Sequence, residues 1–130
     1  MIELNLPWPP SINHYKEIGR TITTKEGKTY QQRYNSKNTT AFYYEVWVLV
    51  KQLDAIKLKD LPLLGIISLE LDLYPPDRRK RDIDNGCKVL LDSLTKAGLI
   101  KDDSQISRLL IERKDIFEGG KVVVRLWEYL

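Results

Sequence analysis

The chain has 130 residues, of which 42% are apolar and 30% are charged, a composition typical of a single globular domain spanning residues 1–130. The net charge is only +3, and a single cysteine, Cys87, excludes an internal disulfide. No stretch approaches the roughly 18 apolar residues of a membrane span, and the N-terminus lacks a signal-peptide pattern, so we expect a cytoplasmic protein without a membrane segment.

The first half of the chain predicts a strand, a hairpin and a helix. Residues 1–6 alternate apolar and polar side chains, which indicates a strand, and the prolines that follow end it. Two short strands within residues 20–34 flank a Lys-Glu-Gly sequence, which predicts a hairpin turn. Apolar residues then recur at helical spacing over 42–56, and Ser36 or Thr39 is placed to cap this helix.

The second half predicts a strand, a helix and a second hairpin. Residues 65–74 alternate as a strand with one buried face does, and residues 83–97 carry a second apolar stripe at helical spacing, with Gly98 placed to end the helix. Two final strands, at about 106–116 and 121–129, flank a Glu-Gly-Gly sequence that predicts a hairpin turn. This order predicts an α+β fold, a single domain in which two helices pack on one face of a mixed β-sheet.

The most informative segment joins the strand at 65–74 to the second helix. It places four consecutive cations directly before two carboxylates: Arg78, Arg79, Lys80 and Arg81, then Asp82 and Asp84. Lys88 follows one helical turn later, and a second acidic pair, Asp102–Asp103, comes after Gly98. Four adjacent cations repel one another, so we interpret Arg78 to Arg81 as binding the phosphates of a nucleic acid.

The same residues also have a purely structural interpretation. Asp82 or Asp84 can cap the second helix, Asp84 and Lys88 can form a surface ion pair, and the cationic run can be a solvated loop. The cap of one helix needs only one acid, whereas Asp82 and Asp84 are both present, which favours a functional role. The alternative of a non-catalytic nucleic-acid-binding module nevertheless stays open.

A metal site is a further prediction from the acids. If Asp103 reaches Asp82 and Asp84, the three form an all-oxygen site, which selects Mg²⁺ or Mn²⁺ over zinc. Such a metal lowers the pKa of bound water and stabilises charge on a phosphodiester oxygen, while Lys88 neutralises charge on the non-bridging oxygens. This convergence requires that the turn carrying Asp103 folds back along a neighbouring strand.

Four segments in this order resemble the RusA family of Holliday junction resolvases, which are bacterial and phage endonucleases. They read L-P-W-P-P-S-x-N at residues 6–13, P-D-R-R-K-R-D-I-D-N at 76–85 with Lys88 after it, L-D-S-L-T-K-A-G at 91–98, and D-D-S-Q-I at 102–106. The resemblance implies a RusA-like fold and a homodimer that cuts four-way DNA junctions with Mg²⁺ or Mn²⁺. A nuclease for another branched DNA is a second alternative.

The resemblance also implies the roles of individual residues. It makes Asp82, Asp84, Lys88 and Asp103 catalytic, with the three acids as metal ligands. The sequence departs from the family pattern at Gly86 and Cys87, where bulkier residues are more usual, and Gly86 is expected to loosen the start of the helix.

Three residues near the N-terminus carry weaker expectations. Trp8 is expected to fill the core at the end of the first strand. Asn13 is placed to orient a phosphate or an acid, and His14, the single histidine, is expected to be an exposed loop residue.

Overall fold

A computed structural model describes residues 1–11, 16–56 and 60–129 of the chain. The expectations for Asn13 and His14 lie outside these residues. None of the helices in the described part combines the length and hydropathy needed to cross a bilayer.

The elements form a four-stranded mixed sheet, a separate hairpin and two α-helices. In chain order they are β1 (Ile2–Pro7), β2 (Lys16–Thr23), β3 (Thr29–Asn35), α1 (Lys37–Ile56), β4 (Ile66–Tyr74), α2 (Cys87–Lys96), a 3₁₀ turn (Asp103–Gln105), β5 (Ile106–Arg113) and β6 (Lys121–Tyr129). The sheet has the order β1-β6-β4-β5, in which β4 and β5 are parallel and the other neighbours antiparallel. The predicted α+β fold with a mixed sheet and two helices is therefore confirmed.

The predicted hairpin in the first half is present, and the predicted hairpin of the last two strands is wrong. β2 and β3 pair around Gly27, whose φ of +82° suits glycine. β6, however, lies between β1 and β4, whereas β5 lies at the edge beside β4. Burial explains the order, because β6 carries fully buried apolar residues such as Val124 and Leu126, whereas Leu109 in β5 is 41% exposed.

The helices begin with different local chemistry. Ser36 caps α1, because its Oγ accepts a hydrogen bond from the backbone N–H of Thr39 at 3.2 Å. α2 begins at Cys87, later than the apolar pattern predicts, and Ile83 in the preceding turn is exposed. Gly98 ends this helix with a φ of +82°, as predicted.

One core joins the helices to the sheet. It contains Leu4 and Leu6 from β1, Val46 and Val50 from α1, Ile67, Leu69, Leu71 and Leu73 from β4, Leu90 and Leu94 from α2, and Val122, Val124 and Leu126 from β6. The prediction that only one face of β4 is buried is incomplete, since Asp72 on its other face is also buried. On that face, Arg125 pairs with Asp72 at 2.8 Å and with Glu70 at 3.4 Å.

Candidate functional site

An open cleft with a volume of about 910 Å³ lies at the carboxyl ends of β4 and β5. The segment after β1, the loop after β4, the start of α2 and the end of β5 line it. Its charged lining consists of Asp77, Arg78, Arg79, Lys80, Arg81, Asp82, Arg113, Lys114 and Asp115. Cations outnumber acids here by six to three, so the cleft favours an anionic ligand although the whole chain is nearly neutral.

Asp77 organises the loop that carries the cations. Its Oδ1 accepts a hydrogen bond from the backbone N–H of Arg79 at 3.0 Å and lies 2.8 Å from Nη2 of Arg81. The Arg79 N–H, followed by the Arg81 guanidinium, holds the pKa of Asp77 below its usual value. Asp77 therefore stays ionised and fixes the turn at neutral pH.

Arg81 differs from the three cations before it. Its guanidinium carbon lies 5.7 Å from the centre of the Trp8 ring, and its side chain is only 20% exposed. Nη2 of Arg113 donates to the carbonyl oxygen of Arg81 at 2.6 Å. We call Asp77, Arg81, Trp8 and Arg113 the loop clamp, because they hold the backbone immediately before Asp82.

The other three cations project towards solvent. Arg78, Arg79 and Lys80 are exposed in the cleft, and the side chain of Arg79 is 84% exposed. The ion pair of Arg79 with Asp77 is loose, since Arg79 Nε lies 3.8 Å from Asp77 Oδ2. These three residues therefore present the free positive charge, and their role in binding nucleic acid stays a prediction.

The N-terminal Pro-Trp-Pro-Pro segment supports the floor of the cleft. Trp8 is half-buried and packs against the core, as expected for a residue that ends the first strand. A Cβ on Gly120 would approach Trp8 Cβ to 2.8 Å, and one on Gly86 would approach Pro9 Cγ to 2.7 Å. Gly86 therefore permits close packing of the α2 start on Pro9, and the expectation that it loosens the helix start stays a prediction.

Asp82 and Asp84 lie in the exposed turn before α2. The N-cap of α2 is Gly86, without a side-chain hydrogen bond, so the interpretation of either acid as the cap is wrong. Their backbone carbonyls accept hydrogen bonds from Asn85 and Cys87, but neither carboxylate forms an ion pair or hydrogen bond with a residue that the structure describes. Both carboxylates are thus available to a ligand.

Lys88 lies one helical turn after Asp84 but pairs in the other direction. Its Nζ lies 3.6 Å from Oδ2 of Asp92, so the alternative of an Asp84–Lys88 ion pair is also wrong. The Lys88 side chain is about half exposed. A surface ion pair of this kind is weak, so Lys88 can exchange Asp92 for an anionic ligand.

Asp103 lies at the other end of the βαβ unit. Its neighbour Asp102 caps the 3₁₀ turn by accepting from the N–H of Ser104 at 3.0 Å, and Gln105 anchors the turn to the carbonyls of Leu63 and Gly65. The turn precedes the amino end of β5, whereas the cleft lies at the carboxyl end, roughly 25 Å away for eight residues at about 3.3 Å each.

The structure does not bring Asp103 together with Asp82 and Asp84 at the cleft. Among the described residues, no three His, Cys, Asp or Glu side chains lie close enough together to bind a metal ion. The donor chemistry fits Mg²⁺, because Asp82, Asp84 and Asp103 all offer hard carboxylate oxygens. Their assignment as metal ligands stays a prediction.

Comparison with known proteins gives the family. The family model described as Endodeoxyribonuclease RusA matches residues 7–126. The chain belongs to the RusA family. Relatives named Crossover junction endodeoxyribonuclease RusA occur in Escherichia coli strain K12 and in Shigella sonnei, at 30% and 31% identity. A relative of that name in Enterobacteria phage 82 is 30% identical, and each alignment covers 96% of this chain and 92% of the relative.

The match to the RusA family extends over all parts of the cleft. Residues 7–126 include the Pro-Trp-Pro-Pro segment, the loop clamp, the acidic turn and the end of β5. Sequence reasoning missed Arg113 and Lys114, which line the cleft from β5. The signal was present as two adjacent cations at the end of an alternating strand, but nothing in the sequence tells which loop that strand end faces.

Proposed function

We propose that this chain is a structure-selective DNA endonuclease that resolves Holliday junctions by hydrolysing paired phosphodiester bonds. The observation that carries the proposal is the position of Asp82 and Asp84, which are exposed, unpaired among the described residues and adjacent to a cationic cleft. The RusA relatives add support, since their names describe crossover junction endodeoxyribonucleases.

Each part of the site has a distinct task in this proposal. Arg78, Arg79 and Lys80 hold backbone phosphates and so position the DNA without reading its sequence. The loop clamp fixes the acidic turn against the cleft, and Lys88 neutralises charge on a non-bridging oxygen of the scissile phosphate.

We propose Mg²⁺ or Mn²⁺ as the cofactor, held by Asp82, Asp84 and Asp103. Carboxylates with bound waters complete the coordination that these hard cations prefer. When bound, the metal lowers the pKa of a water molecule and stabilises charge on the phosphodiester oxygen. Asp82 and Asp84, two residues apart in one turn, provide the part of the ligand set beside the cleft.

We also propose that the active form is a homodimer. Two copies of the 15.2 kDa chain give a particle of about 30 kDa, and its two-fold symmetry matches the symmetry of a four-way junction. One chain offers one acidic turn, whereas resolution needs two cuts in strands of like polarity. A second chain also offers its own Asp103, an acid that the cleft of one chain lacks.

The place of action follows from the substrate. Branched DNA of this type forms where chromosomes or phage genomes recombine, so we propose a role in DNA recombination and repair in a bacterial cytoplasm. The gene would belong to a bacterium, a phage or a prophage, as in the relatives from Escherichia coli and phage 82.

The test is a cleavage assay with labelled DNA. The protein is incubated with a four-way junction, a flap and a linear duplex of the same sequences, each with Mg²⁺, Mn²⁺ or EDTA. We expect paired cuts in the junction with either metal and none with EDTA. Binding without cuts under all conditions would favour the non-catalytic module, and cuts confined to the flap would favour a nuclease for another branched DNA.

A further inference from the structure

The outer edge of β5 is an exposed surface to which the proposed function assigns no role. β5 pairs with β4 on one side, and no described strand covers its other side. Its central residues, Leu109 and Leu110, are 41% and 37% exposed and point to opposite faces of the sheet. An open edge with apolar residues offers free N–H and C=O groups together with apolar surface to another strand.

Two features that protect edge strands occur in β5, a register shift between Ile106 and Arg108 and the charged residues Arg108, Glu112 and Arg113, but its centre at Leu109–Ile111 has neither. Its sequence, I-S-R-L-L-I-E-R, contains no proline, glycine or lysine. Its register with β4 is regular from Arg108 to Arg113, so the strand is not interrupted there. A strand of this kind is well suited to β-augmentation, in which an extended segment adds to the sheet edge.

We propose that β5 pairs in antiparallel fashion with β5 of a second copy of this chain. This inference rests on the homodimer proposed above and adds the surface through which it forms. A two-fold axis perpendicular to the sheet relates the two strands, which makes the interface isologous and gives one continuous eight-stranded sheet.

The sequence of β5 selects one register for this pairing. Residues directly opposite each other in an antiparallel pair point to the same side, so the axis must lie midway between one residue and its own copy. With the axis at Leu110, this residue faces Leu110 of the partner subunit, and Leu109 faces the partner's Ile111. Arg108 then faces the partner's Glu112, and symmetry repeats this opposite-charge pair.

The neighbouring registers are less favourable. With the axis at Leu109, Arg108 would face Leu110 of the partner subunit, so a charge would meet an apolar side chain. With the axis at Ile111, Arg108 would face the partner's Lys114, and like charges directly opposite each other are destabilising. Leu110 therefore defines the register with matched apolar and charged pairs.

The side chains of β5 retain capacity for these contacts. Arg108 donates from Nη1 to Ser68 Oγ at 3.0 Å and from Nη2 to Glu70 Oε2 at 3.1 Å, which leaves other N–H groups of its five. Glu112 binds Lys114 through Oε2 at 2.9 Å and is half exposed, so its second oxygen remains for a guanidinium. The new pair thus adds to the existing contacts of both residues.

This arrangement has a direct consequence for the site. An axis perpendicular to the sheet keeps α2 and the acidic turn of both chains on one face of the joined sheet. The strands run in opposite directions, so the carboxyl end of β5, beside the cleft, approaches the amino end of the partner strand. Both clefts then open towards one substrate.

The test is disulfide cross-linking at the proposed axis. In a Cys87→Ser background, Leu110→Cys places two thiols directly opposite, with Cα atoms about 4.5–5.5 Å apart, within disulfide range. We expect mild oxidation to give a covalent dimer. Leu109→Cys is the matched control, since its copy lies two residues further along and beyond the roughly 7 Å limit, so it should stay unlinked.

A second variant tests the same β5 interface through the dimer dissociation constant instead of cross-linking. Leu110→Asp places two carboxylates face to face, and we expect the dimer dissociation constant in sedimentation to rise about tenfold or more. Far-UV circular dichroism of this variant should match wild type, because Leu110 is partly exposed in the monomer. An unchanged dissociation constant would overturn the interface.

Cleavage measured on the same samples separates this inference from the proposed function. A wild-type dimer that cuts junctions, with Leu110→Cys failing to cross-link, overturns the β5 pairing and leaves the nuclease standing. A cross-linked Leu110→Cys dimer without any cleavage supports the interface and removes the nuclease. Wild-type protein that is monomeric at micromolar concentration, with and without junction DNA, overturns the β5 pairing.

Discussion

Arg81 folds back onto Asp77, with its Nη2 atom 2.8 Å from Asp77 Oδ1, and so stabilises the loop in which both residues lie. Arg113 binds the carbonyl oxygen of the same Arg81 from the end of β5. The backbone before Asp82 is therefore held by contacts on two sides, one within the loop and one from the sheet. A run of four cations thus contains three residues that face solvent and one that positions Asp82, the proposed catalytic acid.

Asp77→Asn should slow cleavage more than it weakens binding. Asparagine keeps an acceptor for the Arg79 N–H but loses the charge that holds Arg81, so the acidic turn becomes less well placed. We expect single-turnover cleavage of a junction to slow roughly ten- to a hundredfold, with a nearly unchanged dissociation constant. Asp115→Asn, which alters another acid of the cleft lining, is the control. Wild-type cleavage by Asp77→Asn would contradict the role of the clamp.

The same ion pair predicts a pH dependence of stability. The pKa of Asp77 is lowered from its ordinary value of 3.8 by the Arg79 N–H and by Arg81, so the folded state favours the carboxylate. The stability that it contributes is complete above the unfolded pKa and is lost as the pH falls through the lower folded pKa. In urea unfolding, the free energy of unfolding of wild type should exceed that of Asp77→Asn near neutral pH. This difference should shrink below about pH 4. A difference that grows in acid would contradict this assignment.

The exposed cations should determine the salt dependence of junction binding. Arg79→Ala removes one phosphate contact, so the slope of log affinity against log salt should flatten by about one unit. Lys37→Ala, at the start of α1 and outside the cleft lining, provides the control and should leave the slope unchanged. An unaltered slope in Arg79→Ala would mean that this loop does not contact DNA.

The sequence predicted those features that depend on local patterns. Alternation and helical spacing identified the elements, and Gly27 and Gly98 marked turns because each adopts a positive φ. The pairing of the strands could not be predicted in this way, since a Glu-Gly-Gly turn suits both a hairpin and a crossover. The burial of Val124 and Leu126 decided that β6 lies inside the sheet.

The site was predictable in its residue types but not in its geometry. Cations followed by two acids indicated a phosphate and metal site, and neither carboxylate forms an ion pair or hydrogen bond among the described residues. The clamp needed tertiary contacts that bring Trp8 and Arg113 to the same loop. Likewise, the distance of Asp103 from the cleft follows from the parallel pairing of β4 and β5, which no local pattern specifies.

The acids should be required for cleavage and dispensable for binding. Asp82→Asn, Asp84→Asn or Asp103→Asn each removes one ligand charge for the metal, so cleavage with Mg²⁺ should be lost. Junction binding should persist, because the exposed cations of the loop remain. Asp102→Asn is a matched control beside Asp103, since asparagine can still accept the Ser104 N–H and cap the turn. Wild-type cleavage by Asp82→Asn would refute the metal assignment.

Gly86 and Pro9 should be coupled in stability. A Cβ at Gly86 would lie 2.7 Å from Pro9 Cγ but 3.5 Å from Pro9 Cβ. Gly86→Ala should therefore lower the free energy of unfolding by about 1–3 kcal/mol, as overpacking does. Pro9→Ala removes the Cγ atom, so the double variant should be more stable than the sum of the two single changes implies. A thermal or urea double-mutant cycle measures this coupling, and simple additivity would show that the turn before α2 does not rest on Pro9.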